Sequence, residues 1–359
     1  MKTHGFKLKL AGFIISVFFL TSSHIFALQS TSTISFSKKE LSFEKVSGYD
    51  VVKHSGAHFM NKVGEPALPV RNVYVALPSD AQVTGIELVS FDLEELSGRY
   101  QIYPAQPPVP LKRGAKPGPF VQPKSSIYNS SEPYPKDVVS YVGTGSLGGH
   151  KIAMLQVCPI QFVSSEGELR LYDRIEFNFI TISEKQPPRA ILRSRTAQSV
   201  YDQISKDLVI NSEDVGKSLN YVPPPGDFFE YLIITNDELL SSFQPLADWK
   251  TEKGIPAVIR TTSWINSNYS GIDLQEKIRS YLKIAHQDSG TVWALLGGDT
   301  QVVPCRHVRI EFETYTEDIP CDLYYSDLDG SWNYDGDSWY GEPEDSVDMF
   351  PDLFVGRAP

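Results

Sequence analysis

The 359 residues carry a formal net charge of −11, with 41% apolar and 12% aromatic side chains. That apolar content excludes a disordered chain, and the length allows two domains with separate cores. The acidic balance excludes a general nucleic-acid binder, which needs a basic surface to displace counterions from phosphate.

The chain opens with a basic start at Lys2, Lys7 and Lys9, then an apolar run over 10–20, then Ile25-Phe26-Ala27 with a small residue at its end. This three-part pattern predicts a secretory signal over 1–27, and hence a secreted or cell-surface protein. The run is too short to span a bilayer, and no later stretch reaches the ~18 apolar residues of a membrane helix. Cys158, Cys305 and Cys321 are the only cysteines. Three cannot all pair within one chain, so a disulfide scaffold is excluded. Cys305 and Cys321 could bridge or stay as thiols; the sequence leaves both open.

Residues 28–184 read as a β-rich region. The runs 73–77, 151–157 and 175–182 are rich in β-branched and aromatic residues and bounded by Gly, Pro or charged turns. Nine of the 25 prolines fall between Pro104 and Pro135, which predicts an irregular excursion there rather than a helix. An antiparallel sandwich or barrel is expected. Residues 185–226 read as a linker, opened by Pro187-Pro188 and closed by Pro223-Pro224-Pro225-Gly226. Arg189, Arg193 and Arg195 lie there among small polar residues, where an exposed loop would be cut easily, and a weakly periodic short helix falls near 200–219.

The pattern changes over 227–359. Residues 231–235 form a compact apolar strand. A helix containing Leu246, Ala247 and Trp249 follows, with Pro245 in its first turn and Gly254 as its stop. Residues 255–261 give a second strand. Asp273 with Glu276 resembles a capping box, after which Leu274, Ile278, Tyr281, Leu282 and Ala285 recur at helical spacing. Residues 291–296 give a third strand and 353–356 a last one. Strand–helix–strand–helix–strand predicts a parallel sheet covered by helices, with functional residues at the carboxyl ends of strands.

Three constellations carry possible chemistry. Cys305-Arg306-His307 places a thiol near a base, but Cys–His pairs are usually assembled from separate segments, so the structural reading is preferred. Gly297-Gly298-Asp299 follows a strand but lacks the GxGxxG or Lys-Ser/Thr of a nucleotide loop. Between Glu311 and Asp352 there are 14 acidic residues and no Lys or Arg. Asp327-x-Asp329-Gly330 and Asp335-Gly336-Asp337 have spacings found in calcium loops, without the full EF-hand pattern. His54, His58 and His150 have no companion motif.

Tyr231-Leu-Ile-Ile-Thr235, Trp249-Lys250 with Lys253-Gly254, Ala294-Leu-Leu-Gly-Gly298-Asp299, Asp322-Leu-Tyr-Tyr-Ser-Asp-Leu-Asp-Gly330 and Pro351-Asp-Leu-Phe-Val-Gly-Arg357 together resemble successive blocks of the gingipain (C25) peptidase domain. Gly64-Glu-Pro-Ala-Leu-Pro-Val-Arg71 and the stretch 148–159 resemble the region that precedes it in such precursors. The resemblance implies a secreted cysteine endopeptidase precursor acting on proteins or peptides: a β-rich prodomain, then an incomplete caspase-like α/β domain. It places the catalytic His and Cys beyond the block at 355–357, so no residue here is expected to be catalytic and the chain itself is expected to be inactive. It also implies a calcium ion held by Asp299, Asp348 and Asp352, with backbone oxygens of Asp345 and Phe350. Two alternatives are a secreted calcium-binding adhesion or assembly protein on a degenerate peptidase scaffold, and a cell-surface transpeptidase of the same family.

Overall fold

The computed structural model describes residues 26–27, 31–109, 113–183, 191–217, 221–222, 228–312, 315–345 and 347–359. The core of the signal expected over 1–27 lies outside these residues, as do Arg189 and the proline clusters at 187–188 and 223–225. The chain folds as two compact units. One comprises Met1–Val75, Asp80–Gly143 and Ala153–Lys185; the other comprises Ala76–Ser79, Thr144–Ile152 and Gln186–Pro359. No described helix is long and apolar enough to cross a membrane.

The first unit is β-rich and largely antiparallel, as its sequence predicts. Its central strand, Glu168–Ser183, runs antiparallel to Ala81–Leu96 along its whole length, from Leu169 opposite Leu96 to Ser183 opposite Ala81. The other edge of the central strand takes Ile160–Val163 and Ser32–Ser35. Leu169, Leu171, Ile175, Phe177 and Phe179 are buried while Arg170, Arg174 and Glu176 turn outward, the period-two alternation of a half-buried strand. A register shift between Tyr172 and Arg174 lets Leu171 and Tyr172 both be buried. Among its described residues, the proline-rich stretch holds one short helix, Ser125–Tyr128. Its backbone is satisfied from the side: the Gln106 amide accepts from Val121 N at 2.8 Å and donates to Val121 O at 3.0 Å.

The second unit contains the expected parallel sheet. Its strand order is Ala257–Thr261, Tyr231–Thr235, Trp293–Gly297, Phe354–Ala358, all parallel. The helices Leu240–Glu252 and Leu274–Ser289 supply the crossovers. The first begins earlier than its sequence predicts, so Pro245 lies inside it rather than in its first turn. Gly254, at φ +83°, stops it. The second helix has the predicted Asp273 cap, with Glu276 N donating to Asp273 Oδ1 at 2.8 Å, while the Glu276 carboxylate reaches one residue further back and accepts from Ile272 N at 2.6 Å. Its buried face is Ile278, Tyr281, Leu282 and Ala285, packed in one core with Leu232, Ile234, Leu296, Tyr325 and Leu353. An antiparallel pair, Arg306–Phe312 with Tyr315–Cys321, adds to the elements that the sequence predicts.

The linker expected over 185–226 is folded over 191–217, as part of this unit. Ile191–Leu192 pairs with Tyr221–Val222, and a 14-residue helix, Arg195–Leu208, follows with Ser194 as its N-cap. Arg193 is fully buried. The helix was hard to read because its inner face is Ala197, Gln198, Tyr201 and Ser205 instead of a stripe of large aliphatics.

Candidate metal centre

Two acidic segments meet at the start of the last sheet strand. The short helix Leu323–Ser326 delivers Asp327 at its C-terminal end, and Asp352 lies just ahead of Phe354–Ala358. Ser326 ties them together: its carbonyl accepts from Asp352 N at 2.9 Å and Leu353 N at 3.1 Å, and its hydroxyl donates to Leu353 O at 2.5 Å. One oxygen each of Asp327, Asp329 and Asp352 lies within 4.8 Å of the others.

Each carboxylate is aimed by its surroundings. Asp327 Oδ1 accepts from Gly330 N and Oδ2 from Trp332 Nε1, both at 2.7 Å. A side chain at Gly330 would place its Cβ 2.3 Å from Asp327 Oδ2, so only glycine closes this turn. Asp352 Oδ2 accepts from Leu328 N at 2.8 Å. Arg279 braces the loop from below, donating to Asp327 O and Gly330 O, and its guanidinium stays 3.9 Å from the Asp327 carboxylate. A cavity of about 430 Å³ opens beside Asp329, lined also by Arg279, Lys283, Trp332 and Tyr340.

Burial, with Asp329 and Asp327 adding to it, pushes Asp352 up to about 8. Burial likewise pushes Asp348 up to about 6, with the same two neighbours contributing. Asp329 is also raised, by burial and then by Asp327. Carboxylates held this close repel unless a proton or a cation neutralises them. An all-oxygen set of carboxylates beside an open cavity fits a hard cation such as Ca²⁺, which prefers many oxygen ligands.

The five residues implied by the resemblance fall in different places. Asp352 is in the trio. Asp348 is adjacent, but its Oδ1 accepts from Phe350 N at 2.9 Å and its Oδ2 from Ser146 N at 3.0 Å. Phe350 packs on the same side, against Gly145. Asp345 is fully buried and gathers the 334–341 loop, accepting from Tyr334 N at 2.6 Å and Gly341 N at 2.7 Å. Asp299 is exposed and shapes a turn by accepting from Gln301 N at 2.8 Å. Asp335, Asp337 and Glu342 form a second acidic group within 4.8 Å. The Asp327-x-Asp329 spacing was a legible signal for the trio; nothing in the sequence pointed to Gly145, Ser146 or Arg279.

The thiols are placed structurally. Cys158 is buried, donates to Pro69 O and Ile160 O, and is pushed up to about 12 by burial. Cys321 is raised by burial. Cys305 is buried just ahead of the strand Arg306–Phe312, whereas His307 is exposed.

Residues 226–359 match the profile of Peptidase family C25, and residues 16–220 match the C25 propeptide. The chain belongs to peptidase family C25. It is a gingipain-like precursor, with a propeptide stretch ahead of a stretch of cysteine-type peptidase. The C25 propeptide match includes Thr144–Ile152 and the Arg195–Leu208 helix, both of which fold in the second unit. Among solved structures, a chain from the complex of Porphyromonas gingivalis RgpB pro- and mature domains is 18% identical, with TM-score 0.40, over 53% of this chain and 97% of that one. A zymogen structure of gingipain K from the same organism is 21% identical, with TM-score 0.35, over 49% and 98%. Dimeric latent PorU, also from Porphyromonas gingivalis, is 13% identical, with TM-score 0.26, over 95% and 38%. A search of curated proteins found no match.

Proposed function

We propose that this C25 chain is part of the precursor of a secreted, gingipain-like cysteine endopeptidase, and that its acidic centre binds a structural Ca²⁺. The observation that carries the calcium reading is the trio Asp327, Asp329 and Asp352, with ligand oxygens within 4.8 Å and raised pKa values at Asp329 and Asp352. A bound ion would supply charge neutralisation where the 322–330 and 347–353 segments meet. Asp327, Asp329 and Asp352 would hold it, Arg279 would keep the loop backbone in place, and the cavity beside Asp329 would admit it. Asp299 and Asp345, whose carboxylates already accept from backbone N–H groups elsewhere, would support the surrounding turns.

The peptidase chemistry of the family needs a thiolate with a base in reach. The buried Cys158, the raised Cys321 and the buried Cys305 with its exposed neighbour His307 support structural roles for all three cysteines. The 359-residue chain is therefore expected to give no cysteine-dependent turnover. Inhibitor-sensitive hydrolysis abolished by Cys305→Ala would refute this.

The calcium reading is tested by thermal melting with Ca²⁺ and with chelator. A ligand at 100 times its Kd stabilises by about 2.7 kcal/mol, a shift of roughly 4 °C at this size. An unchanged midpoint, or Asp352→Ala retaining the whole shift, would leave the trio neutralised by protons and by the nearby Arg279 and Lys283. Product analysis of the full-length enzyme separates hydrolysis from transfer of an acyl group to an amine, which is what a transpeptidase of this family would perform.

A further inference from the structure

The strand Arg306–Phe312 carries a charge opposite to its surroundings. The whole chain stands at −11, and residues 311–352 contain no Lys, Arg or His. Arg306, His307 and Arg309 are the basic side chains that immediately precede that run. All three line a cleft of about 220 Å³ in the second unit, together with Gln275, Asp318 and Trp339. Among the described residues of this lining, Asp318 is the one acid.

Both arginines are held with hydrogen-bonding capacity left over. Arg306 is only 6% exposed, and its Nη1 and Nη2 donate to the Asp273 carboxylate at 2.7 and 2.9 Å. Its Nε is buried without a partner. A buried donor of this kind needs an acceptor, which an anion or an ordered water supplies. Since Asp273 already meets the charge of Arg306, the attraction for a further anion comes from Arg309 and His307. The Arg309 guanidinium carbon lies over the Trp339 ring, 3.1 Å from its centroid, and Arg309 N donates to Tyr340 O at 2.8 Å. These contacts hold the side chain at both ends. A guanidinium fixed in this way is suited to take a carboxylate or phosphate through two parallel N–H bonds.

Asp318 shows what the cleft accepts. One of its oxygens meets Arg309 Nε at 3.3 Å, and its side chain is 48% exposed. A full charge-assisted N–H···O bond is about 2.7–2.9 Å long, so this carboxylate is held loosely and from one side. We propose that the cleft is an anion-binding site in which the Arg309 fork takes one oxyanion group, a carboxylate or a phosphate, in place of Asp318. Its volume falls below the ~300 Å³ at which pockets for drug-sized ligands begin, so it suits a single acidic group rather than a whole nucleotide.

The test is tryptophan fluorescence of the 359-residue chain at pH 7, titrated with sodium phosphate and separately with sodium glutarate, at constant ionic strength. At least one of the two should give a saturable change. Saturation by glutarate alone assigns the cleft to carboxylates such as acidic side chains, by phosphate alone to phosphate, and by both to the shared oxyanion chemistry. Arg309→Gln should weaken binding by about tenfold or more, the loss of a charge-assisted hydrogen bond. Asp318→Asn should tighten it about threefold by removing the internal competitor. Circular dichroism checks that each variant is folded. A linear response to both salts, or saturable binding that Arg309→Gln leaves unchanged, overturns the inference. Should Arg309→Gln fail to fold, Asp318→Asn decides: tighter binding supports the site, and unchanged affinity overturns it.

Discussion

Asp352 concentrates the electrostatic cost of the acidic centre. In metal-free protein its folded-state pKa is about 8, raised by burial and then by Asp329. Unfolded aspartate titrates at about 4. Between these values the folded chain holds a proton that the unfolded chain releases. The contribution of Asp352 to stability is thus fully present below about pH 4 and is lost as pH rises through about 8. In chelator the melting midpoint should fall from pH 5 to pH 8, and Asp352→Asn should flatten most of that fall. A wild-type midpoint that rises steadily over this range would contradict the assignment. Gly148 is the second decisive position. Alanine there meets both a left-handed backbone and the Tyr201 ring, so Gly148→Ala should cost roughly 2–4 kcal/mol in denaturant unfolding. A change under about 0.5 kcal/mol, the size usual for an unconstrained surface site, would mean that the packing of Gly148 on Tyr201 contributes little to stability.

The helix Leu274–Ser289 depends on one residue for two purposes. Asp273 caps it through Glu276 N and also receives both Arg306 nitrogens, at 2.7 and 2.9 Å. Arg306 is buried against Tyr324 and Tyr340, with ring centroids 4.6 and 4.1 Å away. Removing the carboxylate loses a cap, about 1 kcal/mol, and strands a buried cation, about 3 kcal/mol or more. Asp273→Ala should therefore cost about 3–4 kcal/mol, and Asp273→Asn less, because the amide can still cap but cannot neutralise Arg306. Equal losses in urea titrations would show that the ion pair is immaterial and the cap carries the effect.

For the whole molecule, the folded state of 191–217 changes where maturation can begin. A protease needs a segment that can extend into its cleft. Arg193 is buried and Arg195 begins a packed helix, so neither offers such a segment before the second unit opens. Limited proteolysis with mass measurement should place the first cuts outside 191–217. A first cut after Arg193 in otherwise native protein would show that the packing around Arg193 and Tyr201 opens readily. The two family matches meet between 220 and 226, within the region whose sequence predicts a linker. Cleavage there would leave Ser146, Arg193 and Tyr201 joined to the propeptide, with their partners Asp348 and Asp352 on the other fragment.

The sequence by itself determined the architecture. The strands of the parallel sheet, the Asp273–Glu276 cap and the Gly254 stop were legible because each is encoded within a few residues, by period, propensity or turn chemistry. The Asp327-x-Asp329 spacing marked an acidic loop for the same reason. Only the tertiary structure decided which of the 14 acids between Glu311 and Asp352 come together, since Asp345 and Asp352 are alike in type yet one gathers a loop and the other joins a trio. It also decided that Gly145 and Ser146 reach Asp348 across 202 positions, and that Arg193 is buried rather than exposed for cutting. Such contacts depend on how distant segments are brought together by core burial, which local pattern does not encode.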